Sequence, residues 1–322
     1  MSCVSPFVLL LAALMVSSGS VLAQSYPGKP IRVIVPAQPG STCDTLSRLI
    51  GQKIVERLGQ SVIVDNRPGA GGILGLELTA KAPPDGYSIA CGQGGNLVIV
   101  VHTYKKLPYD PLKDFSPVAL IATNYMALVV HPSAPFKSVK DLVAYAKANP
   151  GKLSFASNGE GAFIHLTTEQ FRTQAGFTYL HVPYKGIAQY TTELMGGRVD
   201  AAFSAFSSLL PYVRSGKLRL LAIAKATRVA NYPDFPTVAE TIPGFVAGGW
   251  FGFVAPAATP REIVSLLNRE INRAMGLPDV REKMIAYGLD IATESPDFFG
   301  ETIRSDYAKY GKIVHDIGLQ PQ

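Results

Sequence analysis

Short β-branched runs alternate along the chain with longer stretches in which apolar residues recur at helical spacing. The run over 31–35 is too short and too branched for a helix, so it predicts a strand. Pro36 ends it, Gly40 supplies a turn, and Ser41 or Thr42 can cap the helix that follows. A strand, a glycine loop and a helix N-terminus in this order can form an anion-binding site, since free N–H groups point outward at the start of the helix. An ordinary βα connection is the favoured interpretation of this unit alone.

A second unit of the same kind lies in the middle of the chain. A strand over 153–156 is followed by a polar glycine loop over 157–161 and by a helix that contains His165. Two such units in one chain strengthen the anion-site interpretation of each. A further loop over 92–96 is expected to be flexible and suits a ligand contact, although as a bare turn it needs none.

The same pattern continues to the C-terminus and predicts an α/β protein with mostly parallel sheets. The glycine run over 69–75 has the spacing G-x-G-x-x-x-G and lacks the acidic residue of a dinucleotide site, so we interpret it as a tight loop. Further strands are predicted over 62–64, 88–91, 127–130, 179–182, 199–204, 218–224 and 250–254. Further helices are predicted over 73–80, 139–148, 189–195, 211–214, 261–275, 278–287 and 297–317.

The first 23 residues have the form of a secretory signal, with cleavage after Ala23. Their apolar core over 7–16 is too short for a permanent membrane helix. The segment lacks the usual Lys or Arg before that core, and Gln24 stands where a lipoprotein needs cysteine. We therefore expect an exported, periplasmic protein.

The formal net charge of +6 is spread thinly, without basic blocks or aromatic-basic interleaving, which argues against nucleic acid as a partner. Cys43 and Cys91 both follow predicted strands, so a disulfide between them is a hypothesis. Two free thiols are the favoured alternative.

Candidate catalytic and metal-binding groups are sparse. The five histidines are scattered without ligand spacing, and neither G-x-S-x-G nor H-E-x-x-H occurs. We therefore predict no enzyme, no metal and no cofactor. His165 is best interpreted as a residue that orients the second glycine loop. The alternative is a secreted hydrolase or isomerase that uses His165 with Glu160 or Asp44.

Six motifs occur together and in order, and as a set they closely resemble the Bug family. This family comprises the extracytoplasmic solute receptors, or substrate-binding proteins, of tripartite tricarboxylate transporters. The motifs are YPxKPIRVIVP (26–36), PGxxxD (39–44), NRPGAGG (66–72), APPDGY (82–87), VPYKG (182–186) and PTVxE (236–240).

The resemblance implies a type II periplasmic-binding-protein fold, in which two α/β lobes enclose a ligand cleft and two crossovers join them. Lobe 1 would comprise 24–122 plus 246–322, and lobe 2 would comprise 123–245. The function implied is capture of a small di-, tri- or aromatic carboxylate by hinge closure, as a monomer that contacts membrane transporter subunits transiently. A sensory ligand-binding module for a membrane signalling protein is the alternative.

The resemblance also implies two facing loops as the ligand-binding residues, with a wall beside them. By position these residues are Ala37, Gln38, Pro39, Gly40, Ser41 and Asp44, then Ser157, Asn158, Gly159, Gly161, Ala162, Phe163 and His165, with Asn96, Tyr184, Phe203 and Ser204 completing the set. Ser41 replaces a glycine that is usual in the family. Ser204 replaces an aspartate that many members carry, which favours plain or aromatic acids over amino acids.

Overall fold

The computed structural model describes residues 26–321, so the predicted signal segment lies outside the described residues. The chain forms β1 (Ile31–Val35), β2 (Val62–Asn66), β3 (Ser88–Gln93) and β4 (Phe115–Thr123) and then crosses to a second sheet. That sheet contains β5 (Met126–Val130), β6 (Ser154–Ser157), β7 (Leu180–Pro183), β8 (Ala201–Ala205) and β9 (Arg219–Ile223). The chain then returns to the first sheet with β10 (Trp250–Pro256) and β11 (Asp290–Ile291).

The helices confirm most of the predicted pattern. In chain order they are α1 (Thr42–Leu58), α2 (Ile73–Ala80), α3 (Val100–Thr103), α4 (Val139–Ala148), α5 (Phe163–Ala175), α6 (Ile187–Met195), α7 (Phe206–Arg214), α8 (Arg261–Met275), α9 (Pro278–Ala286) and α10 (Pro296–Asp316). Within residues 26–321, no helix is both long and apolar enough to cross a bilayer.

The α/β class is confirmed, but the expectation of mostly parallel sheets is wrong. The first sheet has the order β11-β4-β10-β3-β1-β2 and the second the order β7-β6-β8-β5-β9. β1 is parallel to β2 and β3, whereas β10 is antiparallel to both of its neighbours. In the second sheet β6 is parallel to β7 and β8, and β5 is antiparallel to β8 and β9. Both sheets are mixed because a strand that arrives from the other sheet enters against the local direction.

Each sheet has its own hydrophobic core, and the two units form two lobes. In the first lobe Leu46 and Ile50 of α1 and Leu267 of α8 are fully buried together with residues of β1 and β3. In the second lobe an aromatic group fills the core, with the rings of Phe155 and Phe203 stacked at a centroid distance of 6.3 Å. The chain passes from the first lobe to the second between residues 123 and 126 and returns between residues 223 and 250. The exact lobe boundaries, 24–122 plus 246–322 and 123–245, stay a prediction.

The two crossover segments are hydrogen-bonded to each other. The Asn124 N–H donates to the Gly249 carbonyl at 2.9 Å, and the Gly249 N–H donates to Asn124 Oδ1 at 2.6 Å. A Cβ atom on Gly248 would lie 2.2 Å from the Asn124 carbonyl oxygen. Glycine is therefore required at position 248 for the segments to approach this closely.

The prediction of a flexible loop over 92–96 is wrong. Residues Gly95–Ile99 form a π-helical turn that runs directly into α3. Leu97 and Val98 are fully buried, and this apolar anchoring outweighs the loop preference of the preceding glycines. Asn96 is buried as well, and its Oδ1 accepts the Gln93 N–H at 2.9 Å. It fixes the end of β3 and does not project from a mobile loop.

Candidate functional site

A cavity of about 190 Å³ lies between the two lobes. The first lobe contributes β3, the turn after it, β10 and α10, and the second lobe contributes the loop before α5 and the end of β8. The crossover segments close the remaining side. The residues that line it include Gln93, Gly94, Gly95, Asn124, Asn158, Phe163, Ser204, Gly248, Gly249, Trp250, Asp306 and Tyr310.

A second cavity of about 490 Å³ shares Gln93, Gly95, Asn158 and Phe163 with the first. It also contacts every residue of the predicted second loop except Ser157, from Asn158 to Ala162. The loop therefore borders both spaces. This agrees with its predicted place at the cleft.

Internal hydrogen bonds hold the second loop in one conformation. Ser157 Oγ lies 2.7 Å from His181 Nε2 and accepts the Gly159 N–H at 3.2 Å. His165 Nδ1 accepts the Gly161 N–H at 3.0 Å. Gly159 and Gly161 have φ values of 127° and 70°, which L-residues rarely adopt. The interpretation of His165 as the residue that orients the loop is confirmed.

His165 and His181 stack in parallel, with ring centroids 3.9 Å apart and an interplanar angle of 3°. Burial lowers the pKa of His165. Burial, and then the charge of the neighbouring His165, lower the pKa of His181 to about 4. Both rings are therefore neutral near pH 7. They line a third cavity together with Glu169 and the C-terminal residues of the chain, away from the interlobe cavity.

The first predicted loop has a different environment. Gln38, Pro39 and Gly40 are exposed, and the interlobe cavity is lined by other residues. The Gly40 N–H donates to Asp44 Oδ2 at 2.9 Å, and the Ser41 N–H donates to the Gln38 carbonyl at 3.1 Å. These two N–H groups are therefore already paired, and the assignment of this loop to the ligand stays a prediction. Ala37 is tied down as well, because its carbonyl accepts from Asn66 Nδ2 at 3.2 Å.

Asp44 and Ser41 act on the helix that follows the first loop. Ser41 Oγ accepts the Asp44 N–H at 3.3 Å, which confirms the predicted N-cap of α1. Burial would raise the pKa of Asp44, but hydrogen bonds from Arg48 and from the Gly40 N–H hold it below its usual value. A carboxylate in this position repels a second anion at the same helix terminus.

The residues predicted for the wall have different environments. Ser204 lines the cavity and accepts a hydrogen bond from the Tyr190 hydroxyl at 2.5 Å. Phe203 is fully buried in the aromatic core of the second lobe, so its assignment to the wall is wrong. Successive strand residues point to opposite faces, which explains the difference. Tyr184 packs against the second-lobe core and is absent from the lining of the interlobe cavity.

The first-lobe wall of this cavity was not predicted from the sequence. Trp250 Nε1 donates to Asp306 Oδ2 at 2.8 Å, and Tyr310 lies one helical turn further along α10. The rings of Tyr310 and Phe163 meet edge to face across the lobes at 5.9 Å. No local pattern in the sequence distinguishes Tyr310 from the other buried residues of α10.

The described part of the chain contains neither a cluster of side chains suited to a metal ion nor a disulfide. Residues 26–321 contain no group of three His, Cys, Asp or Glu side chains placed to hold a metal ion. Cys43 and Cys91 are free and buried, with Cys43 Sγ 3.4 Å from the Cys91 carbonyl oxygen. The disulfide hypothesis is wrong, and the favoured alternative of two free thiols stands.

Comparison with known proteins agrees with this two-lobe geometry. The model of the tripartite tricarboxylate transporter family receptor matches residues 46–319. The chain is 38% identical to the UPF0065 protein in the tcbD-tcbE intergenic region of Pseudomonas sp. (strain P51), over 95% of this chain and 93% of that protein. It is 36% identical to Protein BugT of Bordetella pertussis, over 93% of each chain.

A solved structure shows the same architecture. The structure of R. palustris Rpa4515 with adipate is similar to this one, with a TM-score of 0.78 and 34% identity, and the match covers 92% of this chain and 100% of that chain. The predicted two-lobe, periplasmic-binding-protein fold is therefore confirmed. The chain belongs to the tripartite tricarboxylate transporter receptor family, as its resemblance to the Bug proteins predicted.

Proposed function

We propose that this protein is a periplasmic receptor that closes its two lobes on a small organic acid and delivers it to a tripartite tricarboxylate-type transporter. One observation carries the proposal. Two residues that line the interlobe cavity each carry a buried polar atom without a hydrogen-bond partner in the described chain, and they come from different lobes: Asn158, with Oδ1, and Tyr310, with its hydroxyl. A ligand that donates a hydrogen bond to Asn158 Oδ1 and accepts one from the Tyr310 hydroxyl binds the two lobes together and so favours the closed state.

The charge of the ligand follows from the start of α5. Ala162 occupies the N-cap position without a side-chain hydrogen bond, and Phe163 and Ile164 line the cavity. The first N–H groups of a helix have no partner within the helix, and the helix dipole favours negative charge there. A carboxylate is the small organic group that satisfies this terminus. The adipate held by Rpa4515 supports the same class of ligand.

The hinge and the export route complete the proposal. The paired crossover segments, with Asn124 against Gly249, would bend when the lobes of 24–122 plus 246–322 and 123–245 close. The first 23 residues would direct export and be removed after Ala23. We propose no catalytic activity, because the Nδ1 atom of His165 already accepts the Gly161 N–H and is not free to act as a base.

The test is binding by the mature chain, residues 24–322. Differential scanning fluorimetry and calorimetry would compare hexanoate, adipate, malate and benzoate with the corresponding neutral amides. We expect stabilisation by carboxylates only, and about 2.7 kcal/mol at a ligand concentration of one hundred times Kd. Asn158→Asp should abolish it by placing a like charge in the cavity. Asn231→Asp makes the same change in an exposed turn and should not. A folded protein that no carboxylate stabilises contradicts the proposal.

The partner is tested separately from the ligand. Membranes of the source cells would be cross-linked to the receptor with and without a stabilising acid, and the captured proteins identified by mass spectrometry. Capture of transporter subunits supports delivery, whereas capture of a kinase or regulator ectodomain supports the sensory alternative.

A further inference from the structure

We propose that the first-lobe wall of the interlobe cavity, formed by Trp250, Asp306 and Tyr310, selects monocarboxylic acids whose other end carries a neutral hydrogen-bond acceptor such as a hydroxyl group. The proposal rests on the proposed function, because it specifies which organic acid the same cavity takes. It excludes dicarboxylic acids as the preferred ligands, in contrast to the adipate held by Rpa4515.

The wall is held in place by contacts among its own residues. Asp306 and Tyr310 lie four residues apart on α10, so both reach the same face of the helix and line the cavity. Asp306 Oδ2 accepts from Trp250 Nε1 at 2.8 Å. Its other oxygen lies 3.2 Å from Lys309 Nζ. The carboxylate and the indole are therefore fixed relative to each other before a ligand arrives.

The charges on this wall disfavour an ion of either sign. Among the described residues that line the cavity, Asp306 has the one charged side chain, so a second carboxylate placed here meets a like charge in a partly desolvated site. Lys309 does not line the cavity, but its ammonium group already pairs with Asp306 and lies 4.5 Å from the centre of the Tyr310 ring, so it competes with a ligand cation for this carboxylate. An uncharged group avoids both the repulsion and the competition.

The Tyr310 hydroxyl requires a hydrogen-bond partner. Tyr310 is 1% exposed and its hydroxyl has no partner in the described chain. Burial, and then the charge of Asp306, raise the pKa of this phenol well above its usual value, so the group keeps its proton. A buried donor without an acceptor is costly, so a ligand gains affinity by supplying an acceptor. A ligand hydroxyl or carbonyl supplies it without charge.

The cavity offers a carboxylate a different place, at the start of α5. Phe163 and Ile164 line the cavity and are the first two residues of α5, whose N–H groups have no partner within the helix, whereas the wall of Asp306 offers an anion nothing comparable. The 190 Å³ of space corresponds to about six water molecules, which suits one compact acid. A diacid of this size would have to place its second carboxylate near Asp306.

The experiment is a calorimetric comparison of matched acids on the mature chain. The first series is 6-hydroxyhexanoate, hexanoate, adipate and 6-aminohexanoate, and the second is 4-hydroxybenzoate, benzoate and terephthalate. We expect the hydroxy acid of at least one series to bind about tenfold more tightly than the other members. The better-fitting series then serves for the variants.

Three variants separate the contributions of the wall. Tyr310→Phe keeps the ring against Phe163 and should weaken the hydroxy acid about tenfold while leaving the plain acid unchanged. Asp306→Asn should strengthen the diacid relative to the hydroxy acid. Tyr287→Phe removes a hydroxyl from an exposed side chain and should change neither affinity.

Two results would overturn the inference. One is a wild-type protein that binds the diacid or the amino acid as tightly as the hydroxy acid. The other is a Tyr310→Phe variant with an unchanged ratio between hydroxy acid and plain acid. Failure of every acid to bind would instead count against the proposed function, so the two failures are distinguishable.

Discussion

Replacing His165 removes the acceptor on which the second loop depends. His165 is 6% exposed, and its Nδ1 atom is the acceptor of the Gly161 N–H at 3.0 Å. His165→Leu leaves that N–H without a partner, whereas His165→Asn keeps an acceptor oxygen at the δ position. Both variants lose the ring stacking on His181. The difference between them therefore isolates one hydrogen bond.

The size of that difference can be worked out from the contact. Leaving a buried backbone donor unpaired costs about 1–3 kcal/mol, and the lost ring contact costs about 0.5–1.5 kcal/mol in both variants. We therefore expect His165→Leu to lower the free energy of unfolding by about 2–4 kcal/mol and His165→Asn by about 1 kcal/mol. The loop that borders both cavities should loosen only in the leucine variant.

Urea denaturation followed by fluorescence gives the free energies, and hydrogen exchange followed by NMR gives the protection of the Gly161 amide. In His165→Leu the Gly161 amide should exchange at least tenfold faster than in the wild type, and in His165→Asn it should remain protected. Equal protection of this amide in all three proteins refutes the hydrogen-bond reasoning. Equal destabilisation by both variants refutes the assigned magnitude.

Two further predictions concern the crossover and the stacked rings. Gly248→Ala places a Cβ atom against the Asn124 carbonyl oxygen, so thermal melts should show that the free energy of unfolding falls by about 1–3 kcal/mol. The control is Gly186→Ala, which lies in open space with an extended backbone and should cost less than about 0.5 kcal/mol. Equal losses in the two variants would contradict the packing argument. In the folded protein the pKa values of His165 and His181 lie below the unfolded value of about 6.5, so the unfolded chain binds more protons than the folded one. The contribution of these two neutral rings to stability should therefore be fully present above pH 6.5 and should decline as the pH falls toward about 4. Urea midpoints measured at pH 7.5 and 4.5 should differ less in His181→Phe than in the wild type, and an unchanged difference would contradict the assignment.

Local signals in the sequence were sufficient for most of the elements. The helix predicted over 261–275 is present with those bounds, because a proline before it and a glycine after it mark both ends. The N-cap Ser41 is also confirmed, since its hydroxyl accepts the Asp44 N–H three residues further on. The second loop was also identified correctly, since its glycines and its position between strand and helix are local features.

Features that depend on distant parts of the chain were not predictable in this way. The direction of β10 follows from its return out of the other lobe, which no local pattern records. The cavity wall of Trp250, Asp306 and Tyr310 forms only when β10 and α10 pack together. Trp250 and Asp306, which share a hydrogen bond, are 56 residues apart in the sequence. The wrong assignment of Phe203 to the cavity wall was avoidable, because successive residues of a strand point to opposite faces and Phe203 directly precedes Ser204.

The order of strands in the two sheets also determines when each lobe can form as successive segments of the chain become available for folding. All five strands of the second sheet come from the continuous segment 126–223, so that sheet can assemble as soon as this segment is available. The first sheet is different, because β10 lies between β3 and β4 and completes the pairing of both. Its closure joins residues more than 150 positions apart, such as Ala90 and Val254, and long-range pairing of this kind is slow. The second lobe should therefore fold first, and its completion brings the ends of β4 and β10 side by side, which shortens the search for the first lobe.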